Sequence, residues 1–138
     1  ISSLGLGLAI TQPHRKVIAI DGDGSLIMRM GSMATNAYYK PGNLLHILLD
    51  NQSHDSTGGQ ATVSPHICFT DQAAAVGYPM VKQVGNETEL KAAIDTWKAE
   101  KELTFIHLNI AKGSTENLGR PAIKPHEVKT RLRKFLVQ

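Results

Sequence analysis

Apolar positions along the 138-residue chain fall into two alternating kinds of segment. Four are short continuous runs: "KVIAID" at 16–21, "LLHILLD" at 44–50, "MVKQV" at 80–84 and "LTFIHLNIA" at 103–111. The first two predict strands buried on both faces of a parallel sheet, "MVKQV" predicts a modest strand, and "LTFIHLNIA" predicts the last one. Between them apolar residues recur at helical spacing. Residues 25–38 place Leu26, Met30, Met33, Ala34 and Ala37 near one stripe. "DQAAAVG" at 71–77 reads as a short helix that Gly77 ends. "NETELKAAIDTWKAEK" is the clearest helix: Asn86 is its N-cap, Glu89 follows at capping-box distance, and Leu90, Ala93, Ile94 and Trp97 form its apolar face. Residues 2–12 predict a small-residue helix whose glycines permit close packing on a sheet. A last helix spans residues 124–136.

The resulting order, α-β-α-β-α-β-α-β-α, predicts an α/β fold: one domain over 1–138, a parallel sheet with helices on both faces. Right-handed crossovers then bring every strand's C-terminal end to one edge, where ligands of such sheets bind.

Composition narrows the function classes. No apolar run approaches the roughly 20 residues that cross a bilayer, so no membrane partner is expected. No secretory or transit leader is recognised, and the lone Cys68 cannot pair within the chain; both point to the cytoplasm, with Cys68 as a core residue. The net charge of +3 owes much to the tail "HEVKTRLRKFLVQ", read as one solvated helix face. No zinc-knuckle spacing, stacking motif or recognition helix accompanies it, so no nucleic-acid partner is expected. The opening "ISSLGLGLAI" has no initiator Met and starts inside a helix, which predicts a fragment.

Chemistry concentrates where the first strand ends, at "DGDGS". Asp23 lies at that strand's C-terminal end and Asn51 at the end of the next. Neighbouring strands about 4.8 Å apart would bring one carboxylate and one amide oxygen to a common point. Hard oxygen donors suit Mg²⁺ or Ca²⁺ rather than zinc. Two ligands are too few for a magnesium cage, and Mg²⁺ usually completes its shell with water and phosphate oxygens. Gly22 and Gly24 let a backbone come close to a ligand, and Ser25 opens a helix whose free N–H groups favour an anion. A calcium-loop reading fails because Leu26 and Ser32 stand where Gly and Glu are needed. A P-loop lacks its Gly-Lys-Ser/Thr ending, and "GDGSLI" is no dinucleotide fingerprint.

Gly22-Asp23-Gly24, with Asn51 28 positions beyond Asp23, resembles the cofactor motif of thiamine diphosphate-dependent enzymes: G-D-G, a long spacer, then N-N or a variant. Asp50 replaces the first Asn here. The resemblance covers nearly the whole chain, as the diphosphate-binding domain of that family. Within it, "DGDGSLIMRMGSMAT" and "LDNQSHDSTGGQATVS" resemble the phosphonopyruvate decarboxylases, and sulfopyruvate decarboxylase β subunits share "TGGQ". The resemblance implies a thiamine diphosphate-binding fold and a lyase that decarboxylates 3-phosphonopyruvate to phosphonoacetaldehyde. The alternatives are sulfopyruvate or another 2-oxo acid as substrate, and a cofactor-free α/β binding module.

It further implies site roles. Asp23 and Asn51 would bind Mg²⁺ by side chain and Ser53 by backbone carbonyl. Gly24 and Ser25 would donate N–H groups to the diphosphate, with Gly22 beside them. The glutamate that protonates the cofactor's pyrimidine belongs to another domain, so a pyrimidine-binding domain or subunit, and a homo- or hetero-oligomer, are implied. His54 is the catalytic candidate, for proton transfer or for contact with the substrate's anionic group, against a histidine that only orders its turn. Ser56, Thr57 and Gly58, with Gly59, would cradle an anionic tail, against a flexible surface loop. Asp55 should point away from substrate, towards His54. His46, His107 and the Met28, Met30, Met33 group read as packing.

Overall fold

The computed structural model describes residues 1–113, 115, 117–119 and 121–137. Its central sheet holds four parallel strands: β1 (Val17–Gly22), β2 (Leu44–Asp50), β5 (Met80–Val84) and β6 (Thr104–Asn109), in the order β1-β2-β6-β5. A separate two-residue hairpin, β3 (Ser53–His54) with β4 (Gln60–Ala61), stands in the loop after β2. The expected α/β architecture is present. β1 and β2 are neighbours, with Gly22 level with Leu49.

Helices α1 (Ser2–Thr11), α2 (Asp23–Met28), α3 (Ser32–Tyr39) and α4 (Phe69–Val76) cover one face. The core there contains Leu6, Ala19, Leu26, Met33, Leu48, Phe69 and Phe105. Helix α5 (Glu87–Glu100) covers the other face, burying Trp97 and Ala93 against Leu45, Ile47, Val84 and Ile106. Its start is built as its residues predict. The Asn86 side chain accepts from Glu89 N at 3.0 Å, and Glu89 reaches back to Gly85 N at 2.7 Å. Helix α6 (Pro125–Leu136) buries no residue, in keeping with a solvated tail.

Several expectations need correction. β1 is an edge strand, so Ile18 and Ile20 stand 49% and 56% exposed rather than buried on both faces. Residues 25–38 do not form one helix. Helix α2 begins at Asp23, two residues early, and the chain turns tightly at 29–31 before α3; Gly31 is a weak helix former there. Ala34 and Met28 are exposed, and Asn36 takes a buried place instead. Cys68 is exposed at the N-cap of α4. Gly5 does permit close approach, since a Cβ there would lie 3.1 Å from Ala19 Cβ, but Gly7 faces open space.

At the N-terminal edge of the sheet Gly42 meets the end of α5. Lys101 closes that helix in a left-handed conformation (φ 54), and a Cβ on Gly42 would lie 2.0 Å from its carbonyl oxygen. Backbone must move to admit a methyl group. Gly42→Ala is therefore expected to destabilise the fold by at least about 2 kcal/mol, measured by urea denaturation. An unchanged midpoint would show that the two loops do not meet this closely.

Candidate active site

Parallel pairing in register carries the ends of β1 and β2 to one edge, where a cleft of about 330 Å³ opens. Its lining includes Gly22, Asp23, Ser25, Asn51, Ser53, His54 and Ser56. Ile20, Leu49 and Ile110 supply an apolar wall. Gly24 is buried beneath it, while Thr57 and Gly58 lie outside the lining. A larger cavity, about 620 Å³, opens at the opposite edge among Ala9, His14, Trp97 and Lys101 and collects none of the motif residues.

Asp23 is the first residue of α2 and 1% exposed. Thr62 donates its hydroxyl to Asp23 Oδ2. No basic side chain comes within ion-pair distance of it among the described residues. A buried carboxylate without a countercharge is costly. Asn51 is held at both ends of its amide. Its Nδ2 donates to Asp55 Oδ2 at 2.8 Å, and its Oδ1 accepts from Ser53 N at 3.1 Å. Asp55 lines the cleft, and its carboxylate is bonded to neighbours other than His54. It gathers Asn51, the Ser53 hydroxyl at 2.6 Å and Gly113 N at 2.7 Å. Hydrogen bonding, from Ser53 first and Gly113 next, holds its carboxyl below the usual carboxylate range.

The cleft lining is acidic: it holds Asp21, Asp23 and Asp55 and one histidine, His54. Among the described residues no three His, Cys, Asp or Glu side chains converge to hold a metal alone. Asp23 Oδ1 and the second lone pair of Asn51 Oδ1 are hard oxygen donors with no recorded partner among the described residues. That donor set fits Mg²⁺ sharing its shell with phosphate and water.

The loop is tighter than its composition suggests. Gly58 and Gly59 stand at φ +125 and +79, so both glycines are needed by the turn. The Gly59 amide is committed to His54 O at 3.0 Å and does not face a ligand. Gln52 adopts a left-handed φ of 57, which costs a non-glycine residue about 1–2 kcal/mol. The His54 ring lies on Gly24, where a Cβ would come within 2.3 Å of its Cε1. Close approach to Gly24 is thus made by a side chain of the same chain, and Gly22 has nothing within 4 Å of such a Cβ.

Sequence reasoning missed the polar side chains that hold these loops. Asp50, 3% exposed, accepts from Gln52 N at 3.1 Å, from Ser64 Oγ and from His107 Nε2 at 3.0 Å. One strand over, His46 Nε2 lies 3.5 Å from Asp21 Oδ2. Both pairs share one geometry: each Asp faces a histidine two residues lower on the next strand. His46 and His107 are core residues, as expected, yet each is paired with a carboxylate. No other polar group among the described residues reaches His46 Nε2. A carboxylate only accepts, so that nitrogen carries the hydrogen. On its other side the His46 ring places Nδ1 3.3 Å from Tyr78 OH, and Tyr78 accepts from Asn36 Nδ2 at 3.0 Å. Burial opposes ionisation of Asp21, but hydrogen bonds from His46 and Ser25 outweigh it and leave its pKa below the ordinary value. Alternating apolar strand residues signalled the buried positions of both histidines. Nothing local signalled their partners.

Against this geometry, residues 2–108 match the sequence family described as "Thiamine pyrophosphate enzyme, C-terminal TPP binding domain". The chain belongs to the thiamine pyrophosphate enzymes. It is 47% identical to a phosphonopyruvate decarboxylase of Streptomyces hygroscopicus, over 99% of this chain and 34% of that protein. It is 37% identical to a sulfopyruvate decarboxylase subunit beta of Methanococcus maripaludis, over 94% of this chain and 69% of that subunit. Among solved structures, a thiamine diphosphate-dependent 4-hydroxybenzoylformate decarboxylase of Rhodococcus jostii RHA1 superposes with a TM-score of 0.64. It is 20% identical, covering 80% of this chain and 23% of that one, and carries the fold alone. The chain spans about a third of the length of the phosphonopyruvate decarboxylases it matches.

Two measurements check the site. Gly24→Ala meets only the mobile end of His54, so the ring should swing aside with less than about 1 kcal/mol lost. A shifted His54 imidazole resonance at near-unchanged stability is the expected result. Burial pushes the Tyr78 hydroxyl up to about 12. Its stabilising protonated form is complete below pH 10 and lost as pH rises through about 12. Spectroscopic titration should show one of the three tyrosines ionising only in that range.

Proposed function

We propose that this chain is the diphosphate-binding half of a Mg²⁺- and thiamine diphosphate-dependent decarboxylase acting on 3-phosphonopyruvate. The supporting observation is the buried Asp23 carboxylate, without countercharge among the described residues, in one cleft with Asn51. A diphosphate could not enter a cleft lined by three aspartates unless a divalent cation came with it. Asp23 and Asn51 would hold that cation by side chain and Ser53 by its backbone carbonyl. Gly24 and Ser25, in the first turn of α2, have N–H groups without intrahelical partners to offer a phosphate. Gly22 is exposed beside them.

Thiamine diphosphate, once bound, supplies the electron sink that a 2-oxo acid needs to lose CO₂. This chain's residues bind and orient. Ile20, Leu49 and Ile110 would exclude water from one wall once it is covered. His54 is the one imidazole in the cleft lining, and it would hold a proton or the substrate's anionic group. Ser56, Thr57 and Gly58 would meet that group from the loop. The remaining site residues, including a pyrimidine-binding domain or subunit, would come from the rest of an oligomeric enzyme. Among the described residues no helix is long and apolar enough to cross a membrane; a cytoplasmic location belongs to the same proposal.

A second reading, sulfopyruvate as substrate, is favoured by the 37% identity to a sulfopyruvate decarboxylase β subunit. Both substrates are 2-oxo acids with an anionic tail, so the metal site is common to them.

The complete protein, with thiamine diphosphate and Mg²⁺, is expected to release CO₂ faster from phosphonopyruvate than from sulfopyruvate or pyruvate. Asp23→Ala should abolish Mg²⁺-dependent cofactor binding in calorimetry. Faster release from sulfopyruvate would select the second reading. Cofactor binding that survives Asp23→Ala would remove Asp23 from the metal site.

A further inference from the structure

We infer that Asp50 is a positioning residue: it grips both feet of the loop 51–64 and so sets where Asn51 and Ser53 stand at the cleft. The consequence for metal affinity rests on the proposed Mg²⁺ site. The grip itself does not.

Two of the three bonds that Asp50 makes lie at the two ends of one segment. Its Oδ1 takes the N–H of Gln52 at 3.1 Å, two residues on, and its Oδ2 takes the hydroxyl of Ser64, fourteen residues on. Thr62 N closes the neck by donating to Gln52 O at 3.2 Å, and Ser64 N donates to Thr62 Oγ1 at 3.3 Å. Within that neck, Thr62 reaches Asp23. One carboxylate therefore constrains Asn51 and Ser53 through Gln52, which stands between them, and constrains Thr62, the partner of Asp23, through the neck.

The donor count explains why an aspartate stands here. Gln52 N–H, Ser64 O–H and His107 Nε2 all present hydrogens, and a carboxylate only accepts. Asparagine would turn its amide hydrogens towards Gln52 N–H or towards Ser64 and His107 together. His107 fixes the carboxylate from β6 and is itself wedged edge-on against Phe69, ring centres 5.4 Å apart. Gln52 shows the load on the grip. A left-handed non-glycine conformation persists only where the surroundings over-determine it, and both its amide and its carbonyl are held.

The test uses the full-length protein carrying Asp50→Asn, His107→Gln or both. Hydrogen exchange is read first, without cofactor. Asp50→Asn should speed exchange at Gln52 and Thr62 by roughly ten-fold or more, leaving α5 unchanged. Mg²⁺ affinity in the presence of thiamine diphosphate should fall by about ten-fold or more, the scale seen when a partner of a metal ligand is lost. In the double variant the new glutamine carbonyl can accept from the new asparagine amide, so exchange should return part-way towards wild type. Unchanged exchange at 52–64, or a uniform rise that includes α5, would overturn the inference; so would a double variant no better than the sum of the singles. Should Asp50→Asn not fold, His107→Gln is judged on the same amides, with several-fold faster exchange expected and no change counting against the grip. A wild-type protein that binds no thiamine diphosphate would defeat the proposed function while leaving the exchange result to decide the grip.

Discussion

Parallel pairing of β1 with β2, with Gly22 level with Leu49, is the constraint on which the rest depends. It ends both strands at one edge, so that the residues just beyond them, Asp23 and Asn51, share a cleft. A slip of one residue would turn every side chain of a strand to the opposite face. Asp21 and Asp50 would then leave the face where His46 and His107 lie, and both loops would lose their anchors. The buried apolar residues of β2, Leu44, Leu45, Ile47 and Leu48, make such a slip expensive because both faces of that strand are packed.

The site is therefore a product of two layers. The outer layer is the set of oxygen-bearing residues in the cleft, Asp23, Asn51 and Ser53, placed by strand ends. The inner layer consists of two Asp–His pairs on the α1–α4 face, repeated diagonally across adjacent strands. One pair stands under the start of α2 and the other under the loop 51–64. Acceptors and donors are matched along them: carboxylates accept, imidazoles and hydroxyls donate, and the chain from Asp21 runs on through His46 and Tyr78 to Asn36. Low dielectric strengthens such bonds when they are complete.

Helices and strands whose signals are local were legible beforehand. The capping box of Asn86 and Glu89, the left-handed Gly77 and the buried stripe of α5 all depend on residues three or four apart. The motif residues that converge were also legible, because G-D-G and Asn51 lie at the ends of recognisable strands. The errors share one cause. Burial of β1 on both faces, Cys68 in the core and Met28 in the packing all required knowing which neighbour would cover them, and strand order decides that. The loop glycines read as a ligand cradle, and the structure adds that Gly58 and Gly59 also supply the positive φ values the turn requires.

By itself the amino-acid sequence determined the α/β alternation, the parallel sheet and which oxygen-bearing residues stand at the strand ends, since periodicity, caps and residue chemistry are carried by neighbours in the chain. Tertiary structure decided the rest. Asp50 finds Ser64 and His107, 14 and 57 positions away, Thr62 finds Asp23 39 positions back, and the Gly113 amide finds Asp55 across 58. Those pairings exist only once the strands are ordered and in register. A hydrogen bond is set by distance and direction in space, and separation along the chain says nothing of either.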